Sequence, residues 1–171
     1  EVTVENIIPQ HLESLLSKLQ EMGVQLKVGF DNVVIRKAET LKPVDIQTLS
    51  YPGIANDLQQ PMTPLLTQAN GKSVIKETIY VERFKHCQEL QRMGADIDLI
   101  PATALINGPT PLFGDRVTAT DLRCGAALVI AGLISEGITE IQDVYHIDRG
   151  YDNIDQKLKN LGANIWRETV E

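Results

Sequence analysis

The chain is poor in the residues that staple, ligate and stack: two cysteines, three histidines and one tryptophan occur in 171 residues, and aromatic residues make up 5%. Cys87 and Cys124 stand far apart, and fit neither a disulfide framework nor the paired spacing of a zinc site. A reducing, cytoplasmic setting is therefore expected. There is no glycine-rich phosphate loop, no metal-ligand cluster and no Ser/His/Asp signature, so neither a metal nor another cofactor is expected. Positive charge is short as well. A net charge of −7 argues against nucleic acid or an anionic membrane surface as partner, since both need a broad basic field. The longest apolar run is too short for a bilayer, whose crossing takes about 20 residues. The opening Glu-Val-Thr-Val-Glu-Asn lacks both the basic start and the apolar stretch of a secretory signal. It also lacks an initiating methionine, so a piece of a longer protein is expected.

What is present suits a globular α/β chain. Hydrophobic residues make up 43% and charged residues 23%, enough for one domain with a sizeable core or two small lobes. From His11 to Met22, leucines at 12, 15, 16 and 19 recur at helical spacing, and Gly23 stops the run. Val24, Leu26 and Val28 then alternate as a strand, Gly29-Phe-Asp-Asn32 supplies a turn, and Val33-Val-Ile35 returns. The same order recurs from Phe84 to Met93, with Gly94, then Ala95, Ile97 and Leu99, and a return at Ala104-Leu-Ile106. It begins again at Ile154, Leu158 and Leu161, followed by Gly162-Ala-Asn-Ile165. The glycines that follow the three helices are 71 and 68 residues apart, which marks a repeated supersecondary unit. The expected divisions are about 1–80, 81–145 and a partial third unit at 146–171.

Each unit also contains an inner helix. Asn56-Asp-Leu58 to Gly71 parallels Thr120-Asp-Leu122 to Gly137, and each closing glycine stands twelve residues before an arginine, Arg83 or Arg149. From Leu122 to Ile134 the sole charge is Arg123, so this helix is expected to be enclosed on all sides, with Thr120 or Asp121 capping its start and Gly137 its end. Arg123 is the anomaly. A cation in the first turn opposes the helix dipole unless it meets an acid or an anionic ligand. Pro61 and Pro64 fall in the opening turns of the first inner helix, where Pro64 is expected to force a bend.

The candidate chemistry follows from this layout. Asp57 and Asp121 stand at equivalent helix entrances, as N-caps or as a general base, a role that needs a proton within hydrogen-bond reach. Arg83, Arg123 and Arg149 can pair on the surface, or converge on an anion whose phosphate or carboxylate suits a guanidinium fork. His146 is expected to be a structural hydrogen-bonder and Asp148 to orient Arg149. Cys124 reads as a small core residue, and His86 and Cys87 fall on a surface-helix pattern with no chemistry assigned.

Four segments then carry a resemblance. Asn56-Asp-Leu-Gln-Gln60, Glu77-Thr-Ile-Tyr-Val-Glu-Arg-Phe84, Ala119-Thr-Asp-Leu-Arg123 and Tyr145-His-Ile-Asp-Arg-Gly-Tyr151 resemble, in order, signatures of the UDP-N-acetylglucosamine enolpyruvyl transferases, with essentially the whole chain covered. The resemblance implies an inside-out α/β barrel built from βαβαββ-type repeats, helices inside and sheets outside, of which this chain holds two full repeats and part of a third. It implies transfer of the enolpyruvyl group of phosphoenolpyruvate to the 3′-hydroxyl of UDP-N-acetylglucosamine with release of phosphate, the first committed step of peptidoglycan synthesis. Carried over by position, Asp57 matches the acid that contacts and deprotonates the hydroxyl, and Asp121 a second active-site acid. Arg123 and Arg149 match arginines near the phosphate and carboxylate of phosphoenolpyruvate, Arg83 another active-site arginine, and Ile79 and Tyr80 the place where uracil packs.

There are departures. Asn56 replaces a usual Thr, Tyr80 stands where some members have Phe, and the family's N-terminal lysine–asparagine pair and mobile-loop cysteine have no counterpart, neither Cys87 nor Cys124 matching. The resemblance therefore implies an incomplete domain that needs a second domain of the same protein and is inactive alone. The shikimate-pathway enolpyruvyl transferase and a non-catalytic scaffold of the same fold are the alternatives; the segment from Tyr145 to Tyr151 points away from the former.

Overall fold

The computed structural model describes residues 1–168. In chain order the elements are β1 (Val2–Glu5), a 3-10 turn (Pro9–Leu12), α1 (Glu13–Glu21), β2 (Gln25–Val28), β3 (Asn32–Arg36), β4 (Asp45–Gln47), α2 (Asn56–Leu66) and β5 (Gly71–Lys76). They continue with α3 (Lys85–Arg92), β6 (Asp96–Ile100), β7 (Thr103–Gly108), β8 (Arg116–Thr118), α4 (Leu122–Ile134), β9 (Glu140–Gln142), α5 (Tyr145–Asp148) and α6 (Ile154–Asn160).

The repeat is built into the backbone. Gly23, Gly94 and Gly162 all adopt positive φ, at 94°, 101° and 99°, a region that costs glycine little because it has no Cβ. Each ends its helix in the same way. The residue after each glycine, Val24, Ala95 or Ala163, donates its amide back to the carbonyl of Leu19, Leu90 or Leu158, at 2.9, 3.0 and 3.0 Å. This six-residue closure satisfies a carbonyl that the helix end leaves open. Met22 and Met93, just before two of these glycines, are buried.

The strands form three sheets, ordered β1-β3-β2, β4-β5-β7-β6 and β8-β9. β4 pairs parallel with β5 around α2, and β8 pairs parallel with β9 around α4. The hairpin β6-β7 lies antiparallel against β5, so the middle sheet joins the end of one unit to the start of the next. The three-residue strands β4 and β8 are absent from the sequence expectation. Conversely, 162–165 forms no strand, and β9 has β8 as its single partner among the described residues.

α2 and α4 pack against each other as the central pair, with the sheets outside them, the expected inside-out arrangement. One apolar core runs through both units, from Met22, Ile46 and Leu66 to Leu90, Ile106 and Leu128. Full burial of a side chain of this size is worth about 1.5–3 kcal/mol. α2 runs through both Pro61 and Pro64 as one helix. A Cβ at Gly125 would stand 2.4 Å from Ile147 Cγ1, so the missing side chain lets α5 sit against α4.

Three further expectations are corrected. α4 is not enclosed on all sides: Leu133 and Ile134 are each 42% exposed, because no element among the described residues covers that flank. Its end is Ser135, in extended conformation with its hydroxyl on the Gly132 carbonyl; Gly137 takes its positive φ of 89° two residues further on. His86 and Cys87 are buried rather than superficial, since α3 turns them inward together with Leu90.

Candidate active site

The polar mouths of α2 and α4 meet around Asp57. This residue lies in the first turn of α2, where a carboxylate is favoured by the free amides of the helix start. The N-cap of α2 is Ala55, with no side-chain cap, so the Asp57 carboxylate is not spent on the backbone. It accepts instead from two arginines: Arg83 Nη1 stands 2.9 Å from Oδ1, and Arg123 Nη2 stands 3.1 Å from Oδ2. Arg123 thus finds the acid that its place in the first turn of α4 requires. Its other terminal nitrogen donates to the Tyr151 hydroxyl at 2.7 Å.

The surroundings set the charge states. Partial burial pushes the Asp57 carboxyl up, but hydrogen bonds and charge from Arg123 and Arg83 together outweigh it and hold the group below the ordinary carboxylate value. For Arg123, burial acts downward and is outweighed by Tyr151 and Asp57, so its proton is held more tightly than usual. Both groups stay ionised across the neutral range. The same three residues, Asp57, Arg123 and Tyr151, line one part of a groove of about 360 Å³ whose other walls include Leu58, Ile130 and Leu158. A hollow of about 460 Å³ beside β4 and β5 is larger, but Lys18, Asp45 and Lys76 line it and none of the converging site residues does.

The other expected site residues divide. Asp121 is the N-cap of α4, and its Oδ1 accepts from the amides of Arg123 and Cys124, both at 2.9 Å. Arg149 ends the short helix α5; it is exposed, and among the described residues its side chain forms no ion pair or hydrogen bond. The geometry therefore does not bring Arg149 into contact with Asp57 and Arg123. Asp148 does not orient it either, because Arg167 takes Asp148 at 2.6 and 2.9 Å and also reaches Asp155 at 2.9 Å. Ile79 and Tyr80 are 48% and 57% exposed on the same loop as Arg83. His146 does not act as the expected hydrogen-bonder at Nδ1, which is buried and unpartnered.

His86, Cys87 and Cys124 are buried in the core between α3 and α4. Burial depresses His86 to about 3, and its Nε2 is 2.9 Å from Thr63 Oγ1. Burial pushes the Cys87 thiol up to about 12 and also raises that of Cys124. Tyr151, which meets Arg123, and Glu77, which is buried behind the loop that carries Arg83, were left without roles by sequence reasoning. Both lie in the quoted segments, but nothing in their spacing shows that one meets Arg123 or that the other is buried.

Residues 1–158 match the EPSP synthase (3-phosphoshikimate 1-carboxyvinyltransferase) family. The chain is 56% identical over 170 residues to UDP-N-acetylglucosamine 1-carboxyvinyltransferase 2 of Geobacillus kaustophilus, with 99% of this chain and 40% of that protein covered. It is 54% identical to the protein of the same name from Bacillus subtilis, again over 99% of the chain and 40% of the relative. The chain thus spans about 40% of the length of the curated relatives it matches. Among solved structures, the enolpyruvyl transferase NikO from Streptomyces tendae superposes with a TM-score of 0.91 at 29% identity, over 99% of this chain and 40% of that one. EPSP synthase from Acinetobacter baumannii shares the fold at a TM-score of 0.59 and 19% identity, over 82% and 36%. No helix among the described residues is long and apolar enough to cross a membrane.

Proposed function

Since the chain belongs to the EPSP synthase (3-phosphoshikimate 1-carboxyvinyltransferase) family, we propose that it supplies the acid-and-arginine wall of an enolpyruvyl transferase acting on UDP-N-acetylglucosamine. The observation that carries this is the convergence of Arg83 and Arg123 on Asp57 beside an open groove. Two cations gathered on one acid can neutralise an incoming anion, and the acid can accept a proton. The acceptor is favoured by the names of the relatives at 54–57% identity.

The chemistry joins the sugar's 3′-oxygen to the carbon that bears the phosphate in phosphoenolpyruvate. The hydroxyl proton leaves as that bond forms, while the double bond opens and its methylene carbon takes up a proton; loss of a proton from that carbon as the carbon–oxygen bond to phosphate breaks restores the double bond and leaves the vinyl ether and free phosphate. Asp57 takes the proton, with its hydroxyl donor placed within hydrogen-bond reach. Arg123 offsets the phosphate and carboxylate charge of the donor, and such preorganised charge is often the largest catalytic contribution. Arg149, exposed at the end of α5, is a further cation for the charge of the donor, and Asp121 is a second acid of the site. Because the resting carboxylate holds both guanidinium groups, an anionic substrate that draws Arg123 toward itself also frees Asp57 as a base. Activity belongs to the longer protein, whose further domain closes the groove, in a cytoplasmic step of peptidoglycan synthesis.

Phosphate release by the full-length protein tests this. Turnover is expected to saturate in both phosphoenolpyruvate and UDP-N-acetylglucosamine and to be absent with shikimate 3-phosphate. Turnover with the latter alone would assign the shikimate reaction, and none with either acceptor would make the fold a scaffold.

A further inference from the structure

Glu77, the residue after β5, is 1% exposed although it carries a carboxylate. A buried charge is costly unless hydrogen bonds replace its water. Here they do so on one oxygen: Oε1 accepts from Thr48 Oγ1 at 2.6 Å, from the Ile79 amide at 2.8 Å and from the Tyr80 amide at 3.0 Å. Thr48, itself fully buried, accepts from the Thr78 amide at 2.9 Å, and the Thr78 hydroxyl donates to the Thr48 carbonyl. Three successive backbone amides, 78 to 80, are therefore tied to one buried pair.

The side chains of that segment do the opposite. Ile79, Tyr80 and Val81 are 48%, 57% and 55% exposed, so core packing does not hold the loop. The carboxylate does. Oε2 is buried without a protein partner, an arrangement that an apolar side chain would avoid if stability alone were served. The same loop continues into Arg83, whose amide donates to the Tyr80 carbonyl at 3.1 Å and whose side chain reaches Asp57.

We propose that Glu77 is a positioning residue. Its buried carboxylate fixes the backbone of 78–80 and so presents Ile79 and Tyr80 to the base of the nucleotide substrate. The substrate half of this assignment rests on the function proposed above; the loop half stands on the hydrogen bonds alone.

The test uses the full-length protein with Glu77→Ala, Glu77→Gln and Thr48→Val. In Glu77→Ala, KM for UDP-N-acetylglucosamine is expected to rise about tenfold, the scale of a lost hydrogen bond to a charged group, while KM for phosphoenolpyruvate stays within about twofold. Amide exchange at Ile79 and Tyr80 should accelerate in parallel. Glu77→Gln, which keeps an acceptor oxygen, should restore most of both. Thr48→Val gives a smaller version of the same split and serves if Glu77→Ala does not fold. Unchanged exchange with a wild-type KM, or an equal rise in both KM values, overturns the assignment of Glu77. Wild-type protein that neither binds nor turns over UDP-N-acetylglucosamine overturns the functional proposal and the substrate half, and the exchange data then still decide the loop half.

Discussion

At the mouth of α4 the Asp121 carboxylate accepts from two backbone amides, whereas at the mouth of α2 the equivalent Asp57 carboxylate accepts from two guanidinium groups. The cause is a shift in where the helix starts. With the two acids aligned, α2 begins one residue before Asp57 and α4 one residue after Asp121. That displacement makes Asp121 a cap and leaves Asp57 in the first turn with its oxygens free. A sequence repeat can thus place the same residue type twice and give each copy different work, because the half-turn of backbone around it differs.

Removal of the cation both mouths share breaks this contrast with a large effect on rate. Arg123→Gln in the full-length protein should lower kcat by about 10²–10³-fold, as loss of a preorganised charge donor does elsewhere, with folding retained by circular dichroism. A loss under about threefold would mean that Arg123 only pairs with Asp57.

Stability separates the mouths next. Asp121→Ala removes the α4 cap and should cost about 1 kcal/mol, whereas Asp121→Asn should cost little because the amide oxygen still caps. In thermal melts of a chain this size, about 1 kcal/mol corresponds to a fall of about 2–4 °C. Equal melting temperatures for the two variants would deny the cap its role.

The smallest effect is the pH dependence carried by Asp57. Its folded value is lowered by the two arginines against partial burial, so its contribution is complete above the unfolded carboxylate value. That contribution fades as pH falls through the lower, folded one. The stability difference between wild type and Asp57→Asn should therefore be flat near neutrality and shrink in acid. With a side chain 47% exposed, solvent screening limits it to about 1 kcal/mol or less. A difference that grows toward acid would reverse the sign of the ion pairs.

Much of this was legible in the residues. The glycines after the three helices announced a repeat because each needs the same left-handed backbone, and Arg123 stood out because a lone cation at a helix start demands a partner. The partner was not legible, since Asp57 lies 66 residues away and its meeting with Arg123 depends on α2 packing against α4. β4 and β8 escaped notice because three residues are too few to show alternation. The exposed flank of α4 escaped because an apolar helix reads as buried whether or not an element covers it. Glu77 was given no role, and its burial follows from where β4 and β5 end together.

The most direct measurement is the steady-state rate of phosphate release by the full-length protein carrying Asp57→Asn, with melting temperature checked alongside. Loss of the base should reduce kcat by about 10²–10⁴-fold while the protein melts within a few degrees of wild type. A near-wild-type rate in a folded Asp57→Asn protein would contradict the account, because the acid that gathers both arginines would then have no part in moving the proton.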